Sequence, residues 1–284
     1  MNALPVKSVD EILAAVENFP RLPAAVADIL RTLDDENAEV DYLARKIQGD
    51  TGLLADVLRM ANSPRYSIRG GVADVKKAVV VLGFNAVRNL ASVVGISAHF
   101  REAGKGHDAF DLDRYMQHSI GVACCAKFLP HKSRNEADTA FVCGLLHDMG
   151  QLAIAFSMPD EFRMIVGYQM ENDCHFSEAE QAVLGVDHAW IGAQLANRWN
   201  FPDAICEAIG GHHRITGEAP SRMADMVHVA EVLSHALDFG EYGEIPPLSG
   251  DAMLRLGLSF HQLRPLFGKI ENEYCGYSEM LGVH

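Results

Sequence analysis

The chain has 284 residues, 49% of them hydrophobic and 22% charged. That is globular composition, and it excludes disorder over most of the length. Lysine and arginine number 24 against 38 acidic residues, a net charge of −14. Binding nucleic acid through its phosphates needs a basic surface, so direct nucleic-acid binding is not expected. No apolar run is read as approaching the roughly 20 residues that cross a bilayer, and no membrane association is expected.

The pattern is helical nearly throughout. Ser8-Val9-Asp10-Glu11 reads as a capping box, and Ile12, Val16 and Phe19 follow as one helix face. Pro23 sits where a helix would begin. Leu53, Leu54, Val57 and Leu58 form an apolar helix that ends at Asn62-Ser63, whose short polar side chains are expected to satisfy loose backbone groups there. Val75–Leu82 is helical in spacing and stops at Gly83, a C-cap residue. Phe84, Val87, Leu90, Ala91 and Val94 line the next helix.

A polar, glycine-containing joint follows at residues 102–107. Further on, Ser177-Glu178-Ala179-Glu180 reads as a second capping box, and Pro202 as another helix start. A second joint spans residues 239–247, before a last amphipathic segment around Leu263–Leu281. The expected class is all-α, with an N-terminal helical subdomain over 1–103, a helical core over 104–240 and a C-terminal helical appendage over 241–284.

The opening MNALPVKSVDEIL lacks the apolar core of a secretion signal, and the six cysteines show no CxxC spacing. They read as reduced thiols of a cytoplasmic protein, mostly small core residues.

Thirteen histidines are many for this length. The sharpest spot is Leu145-Leu146-His147-Asp148-Met149-Gly150. Neutral imidazole nitrogen and carboxylate oxygen suit a borderline divalent ion such as Zn, Fe, Mn or Ni, and one aspartate can bridge two ions. His118 offers a ligand from the preceding helix, His188 and the pair His212-His213 offer more, and Glu231 a later carboxylate. Taken singly, a histidine on an apolar helix is usually a satisfied core residue, and a histidine pair after Gly210-Gly211 suits a polar helix end. The order and spacing of the groups together point to metal.

That order, His118, then His147-Asp148, then a later carboxylate, resembles the HD superfamily of metal-dependent phosphohydrolases. His188 and His212-His213 resemble the extended ligand set of its HD-GYP cyclic di-GMP phosphodiesterases. The N-terminal part is similar to the HDOD family (HD-related output domain). The matching elements are Phe19-Pro20-Arg21-Leu22-Pro23, Ile47-Gln48-Gly49-Asp50, Leu58-Arg59-Met60-Ala61-Asn62-Ser63 and Ala78 to Leu82-Gly83. The resemblance spans about residues 15–240. It implies an all-α fold, an N-terminal helical subdomain packed on an HD-like core. It also implies a bacterial signalling or regulatory role.

The chain departs from both patterns. Many HDOD members have lost the HD ligands, which are present here. Against HD-GYP enzymes, Arg214-Ile215-Thr216-Gly217 stands for the Gly-Tyr-Pro element, Gln151 for the lysine of HDxGK, and Glu231 for aspartate. Arg114 stands where trinuclear members have glutamate.

Two functions fit this pattern. One is a regulatory scaffold for signalling proteins, with one or two ions held by His118, His147, Asp148, His188, His212, His213 and Glu231. The other is an active phosphohydrolase on a nucleotide or cyclic di-GMP, with His147 and Asp148 at its catalytic centre. Glutamine keeps a donor but loses the lysine charge that would hold a phosphate oxygen, which favours the first. Signal input is expected from a partner or from the C-terminal segment.

Overall fold

The computed structural model describes residues 7–34, 39–63, 66, 71–107, 109–213, 221–240 and 245–283. Arg214 and the rest of 214–217 therefore lie outside the described residues, as does the opening of the chain. Among the described residues the regular structure is helical. The helices are α1 Val9–Val16, α2 Ala24–Arg31, α3 Val40–Gln48, α4 Thr51–Ala61, α5 Val75–Leu82 and α6 Phe84–Ala103. Next come α7 Leu112–Phe128, α8 Arg134–Leu146, α9 Met149–Ser157, α10 Pro159–Asn172, α11 Phe176–Leu184, α12 His188–Arg198 and α13 Asp203–Gly211. The last are α14 Arg222–Ala236, α15 Gly250–Leu256, α16 Phe260–Leu263 and α17 Phe267–Leu281.

Polar side chains start these helices by accepting an otherwise unpaired N–H. Ser8, Asp50, Asp74, Asp111, Ser133, Asp187, Ser221 and Ser249 each cap the first turn of the helix that follows. Glu11 completes the expected box at Ser8, accepting the Ser8 N–H at 2.8 Å. Gly83 ends α5 with a positive φ of 91°, a conformation glycine adopts without strain. Pro23 and Pro202 stand one place earlier than expected, at the N-cap.

Three other expectations are corrected. The Ser177 box does not form: α11 starts at Phe176, Glu178 accepts the His175 N–H at 3.1 Å, and Glu180 is fully buried elsewhere. Phe19 lies beyond the end of α1, not on its face. And Asn135–Ser157 is long and apolar enough to cross a membrane, but 89% of its apolar window is buried inside the fold. Core helices pass the same test.

Helices α2 to α5 pack around α6. The second layer is centred on the adjacent α7, α8 and α14, flanked by α9, α12 and α13, and α17 lies along α7. Tyr274 of α17 stacks on Phe239 with ring centroids 3.9 Å apart, and Lys127 pairs with Glu273 at 2.7 Å. Four of the six cysteines (Cys124, Cys125, Cys143 and Cys206) are buried, consistent with small core residues.

Phe19 joins the two layers, stacked on Trp199 at 5.9 Å and tilted against Phe100 and Phe156. Burying such a ring contributes about 2–3 kcal/mol. Beneath it, the buried Arg88 of α6 meets Asp138 of α8 at 3.5 Å and donates to the Thr32 carbonyl at 3.0 Å. Asn89 donates to the same aspartate at 2.8 Å. Removing one partner from such a buried pair costs about 3–5 kcal/mol, because the other charge is left uncompensated.

Asn62 is structural, as expected. Its side chain donates to the Leu58 and Val72 carbonyls, both at 2.8 Å, and accepts the Val72 N–H at 2.6 Å. It ties the end of α4 to the segment leading into α5. The Ser63 hydroxyl, expected to help, has no hydrogen-bond partner among the described residues.

Glycines set two of the helix separations. A Cβ on Gly150 would lie 2.0 Å from the His188 carbonyl oxygen, so α9 and α12 cross at backbone contact only because that position has none. A Cβ on Gly144 would meet the backbone of Val122 and Ala123 at 2.9 Å, which sets α8 equally close to α7.

Candidate metal centre

The His147-Asp148 pair does not lie within one helix. His147 is the C-cap of α8 and Asp148 the N-cap of α9. This junction replaces the expected 100° divergence of helical neighbours and turns both side chains toward one point, with His147 Nε2 3.3 Å from Asp148 Oδ2.

Three other helices complete the group. His118 on α7 brings Nε2 to 3.8 Å from Asp148 Oδ2. His188, the first residue of α12, places Nε2 3.0 Å from Oδ1, and His212, the C-cap of α13, 3.6 Å from it. The two oxygens of Asp148 thus face different imidazoles: His118 and His147 on one side, His188 and His212 on the other. His213 packs on His212 with ring centroids 4.0 Å apart and brings Nε2 2.9 Å from His188 Nε2. Glu231 on α14 approaches from the side, 3.9 Å from His213 Nδ1.

All seven residues expected from the sequence therefore converge. Asp148, His188, His212 and His213 offer ligand atoms within 4.8 Å of one another, and so do His118, His147 and Asp148. His147, His212 and Glu231 form a third such set. His131 is not among them; it binds the Ala126 and Lys127 carbonyls.

The second nitrogen of each ring shows which atom faces the centre. His147 Nδ1 donates to the Gly144 carbonyl at 2.8 Å and His212 Nδ1 to Ile209 at 2.7 Å. A carbonyl only accepts, so Nδ1 carries the proton and Nε2 keeps its lone pair. Among the described residues both Nε2 atoms are buried without a hydrogen-bond partner. Buried acceptors converging without donors are the arrangement that a cation completes.

Sequence reasoning missed three residues here. Glu180, fully buried, accepts both the Nδ1–H of His188 at 2.6 Å and its backbone N–H at 2.8 Å. His228 on α14 accepts the Ser249 N–H at Nε2 and donates from Nδ1 to the His212 carbonyl at 3.1 Å. His235 lies one turn beyond Glu231, its ring 4.9 Å from that of His118. For His235 a signal existed, the i, i+4 spacing to Glu231. For Glu180 there was none, because its partner lies across a turn.

Gln151 uses the donor it keeps on the carboxylate itself. Its amide donates to Asp148 Oδ2 at 2.9 Å, so it orients the carboxylate rather than reaching for a phosphate. Arg114 donates from Nε to the Gly240 carbonyl at 2.9 Å.

Burial would raise Asp148, but the neighbouring His147 and His188 outweigh it and hold its carboxyl well below the usual range. Burial would lower His188, but Glu180 and Asp148 on either side hold it well above the ordinary imidazole value. His118 and His213 go the other way. Burial depresses both well below the ordinary value, assisted by His147 for the first and by His212 and His188 for the second. Burial pushes the Glu231 carboxyl up to about 7. Without metal, His188 is a cation between two carboxylates, while His118 and His213 stay neutral.

A cleft of about 730 Å³ opens onto this group, reached by Asp148, His118, His188, His213, Glu231 and His235. The rest of its lining is mixed, with Phe110, Phe162, Phe176 and Met170 beside Asp111, Arg114 and Glu178.

Comparison with known proteins agrees with the fold. An HDOD domain protein of unassigned function from Geobacter sulfurreducens superposes with a TM-score of 0.75 at 26% identity, covering 96% of this chain and 99% of that one. A candidate phosphohydrolase from Shewanella amazonensis SB2B does so with a TM-score of 0.75 at 26% identity, covering 95% and 97%. A Treponema pallidum (strain Nichols) protein without an assigned function is 25% identical over 244 residues, 84% of this chain. The chain spans only 46% of that curated relative's length. The family model of the HDOD domain matches residues 19–215, most of the chain, and the protein belongs to the HDOD domain family.

Proposed function

We propose that this protein is a regulatory HDOD module of bacterial signalling. In this reading its HD-type cluster holds one or two divalent transition-metal ions (Fe, Mn, Zn or Ni) as a structural or sensory element. The observation that carries it is the pair of buried lone pairs, His147 Nε2 and His212 Nε2, directed at opposite oxygens of one buried aspartate. His118, His147, Asp148 and Glu231 would hold the first ion. His188, His212 and His213 would hold the second, with Asp148 bridging. Glu180 would orient His188 from behind, as outer carboxylates do in metal sites. Signalling proteins are the partners of this reading, with a nucleotide as a ligand for the cleft and the cytoplasm, where thiols stay reduced, as its setting.

A second reading, an active phosphohydrolase, is favoured by the cleft that opens onto Asp148. It is also the activity suggested by the name of the Shewanella amazonensis relative. Ions in such a site polarise phosphoryl oxygens and supply hydroxide. The chain's own residues give little beyond that. Gln151 is occupied with Asp148, and the guanidinium of Arg114 is anchored on Gly240. The scaffold reading therefore ranks first.

Protein purified without chelator or a metal-binding tag should carry at least one transition metal by elemental analysis. Added Mn, Fe or Zn should raise the melting temperature of stripped protein, since a ligand of the native state alone stabilises it by mass action. His147→Ala should abolish that rise. A melting temperature indifferent to all three metals sinks the proposal.

Glu231 gives a pH-dependent signature. In the metal-free fold its carboxyl titrates at about 7 instead of the ordinary 4.5. The penalty for burying its anion is absent below the lower value, grows between the two and is complete above the higher. Glu231→Gln should therefore stabilise the stripped protein more at pH 8 than at pH 5, and it should shrink the metal-induced rise. Equal effects at both pH values would contradict this.

Turnover of cyclic di-GMP and of bis-nitrophenyl phosphate by metal-loaded protein should stay well below ordinary enzyme rates of about 10 per second. Gln151→Lys should raise a measurable low rate. Ordinary turnover that Asp148→Ala abolishes would establish the hydrolase instead.

A further inference from the structure

Glu231 and His235 stand at i, i+4 on α14 and so project from one face of that helix. His118 faces them from α7. The three offer ligand atoms that all lie within 4.8 Å of one another, a set separate from that of His118, His147 and Asp148. The two sets share His118. A neutral imidazole has a single lone pair, so His118 can serve only one ion. An ion held by His118 therefore draws on one shared nitrogen, with His147 and Asp148 in one set of neighbours and Glu231 and His235 in the other.

His118, Glu231, His235 and Asp148 all line the cleft, whereas His147 is fully buried. A catalytic ion keeps one coordination position open toward solvent for water or substrate, whereas a structural ion is closed by protein ligands. Here an imidazole stands on the open side.

The geometry points to His235 as a ligand of the first ion, closing the coordination position that a hydrolase leaves to water. This rests on the metal reading above and deepens it, since it makes the first position a closed one. The second position, reached from the cleft through His188 and His213, is not closed in this way.

The test uses cobalt(II) as a spectroscopic probe in stripped full-length protein, because its visible absorption reports coordination number and ligand exchange. Wild-type and His235→Ala sequences are compared in a His213→Ala background, which removes a ligand of the open second position; the former should bind cobalt, and millimolar inorganic phosphate should leave its absorption unchanged. His235→Ala should change the absorption. It should bind phosphate at the metal at least about tenfold more tightly, and added imidazole should restore the wild-type spectrum. Because His235 is only half-buried, the substitution leaves the core intact, and a far-ultraviolet circular dichroism spectrum checks this. A cobalt spectrum identical in wild type and His235→Ala overturns the assignment of His235 while leaving the metal reading standing. Phosphate perturbing the two spectra equally does the same. Failure of wild-type protein to bind cobalt at all overturns both.

Discussion

A carboxylate almost wholly withdrawn from water, Asp148, sets the terms for the rest of this molecule. Four imidazole nitrogens stand 3.0 to 3.8 Å from its two oxygens. An isolated buried anion is expensive, and only compensation by opposite charge and hydrogen bonds makes it tolerable. Without metal the fold supplies that compensation through the His188 imidazole at 3.0 Å and the Gln151 amide at 2.9 Å, while the other rings converge from the middle of α7, the α8–α9 junction and the end of α13. The close crossings at Gly150 and Gly144 follow from the same demand. A single methyl group on Gly150 would drive His188 away from the carboxylate it must meet.

On the metal reading, proton and metal are alternative occupants of this centre. Without metal, His188 lies between the carboxylates of Glu180 and Asp148, at 2.6 and 3.0 Å. The remaining acceptors are left without donors. With a divalent ion the imidazoles need only stay neutral, which burial already enforces on His118 and His213. Metal binding to such a group releases protons and couples affinity to pH. That coupling suits a sensory element.

Much of this was legible in the sequence because helical periodicity and capping chemistry are local. Asp74 and Gly83 bracket α5 where the spacing put it, and residue order pointed to the histidines and carboxylates that converge on Asp148. What escaped involves contacts between elements. Glu180 looked like a helix cap because Ser177 stands three residues before it, yet it serves His188 across a turn. The break between His147 and Asp148 was invisible because nothing in Leu-His-Asp-Met marks a helix end. Gln151 was read only as a lysine place without its charge, and the contact its amide makes with Asp148 was not foreseen. Phe19 continued the apolar spacing of α1, but the chain turns before it and its ring goes to Trp199 in the other layer.

The central claim is that Asp148 bridges two cation positions. The most direct measurement is anomalous scattering at a metal absorption edge, from crystals grown without chelator in the presence of manganese or iron. The account predicts anomalous density beside Asp148, about 2.0–2.3 Å from Oδ2 on the His118 and His147 side. A second, weaker or equal peak is expected at Oδ1 near His188, His212 and His213. Crystals without anomalous density there, in which a water occupies the centre and His188 still contacts Asp148 directly, would contradict it.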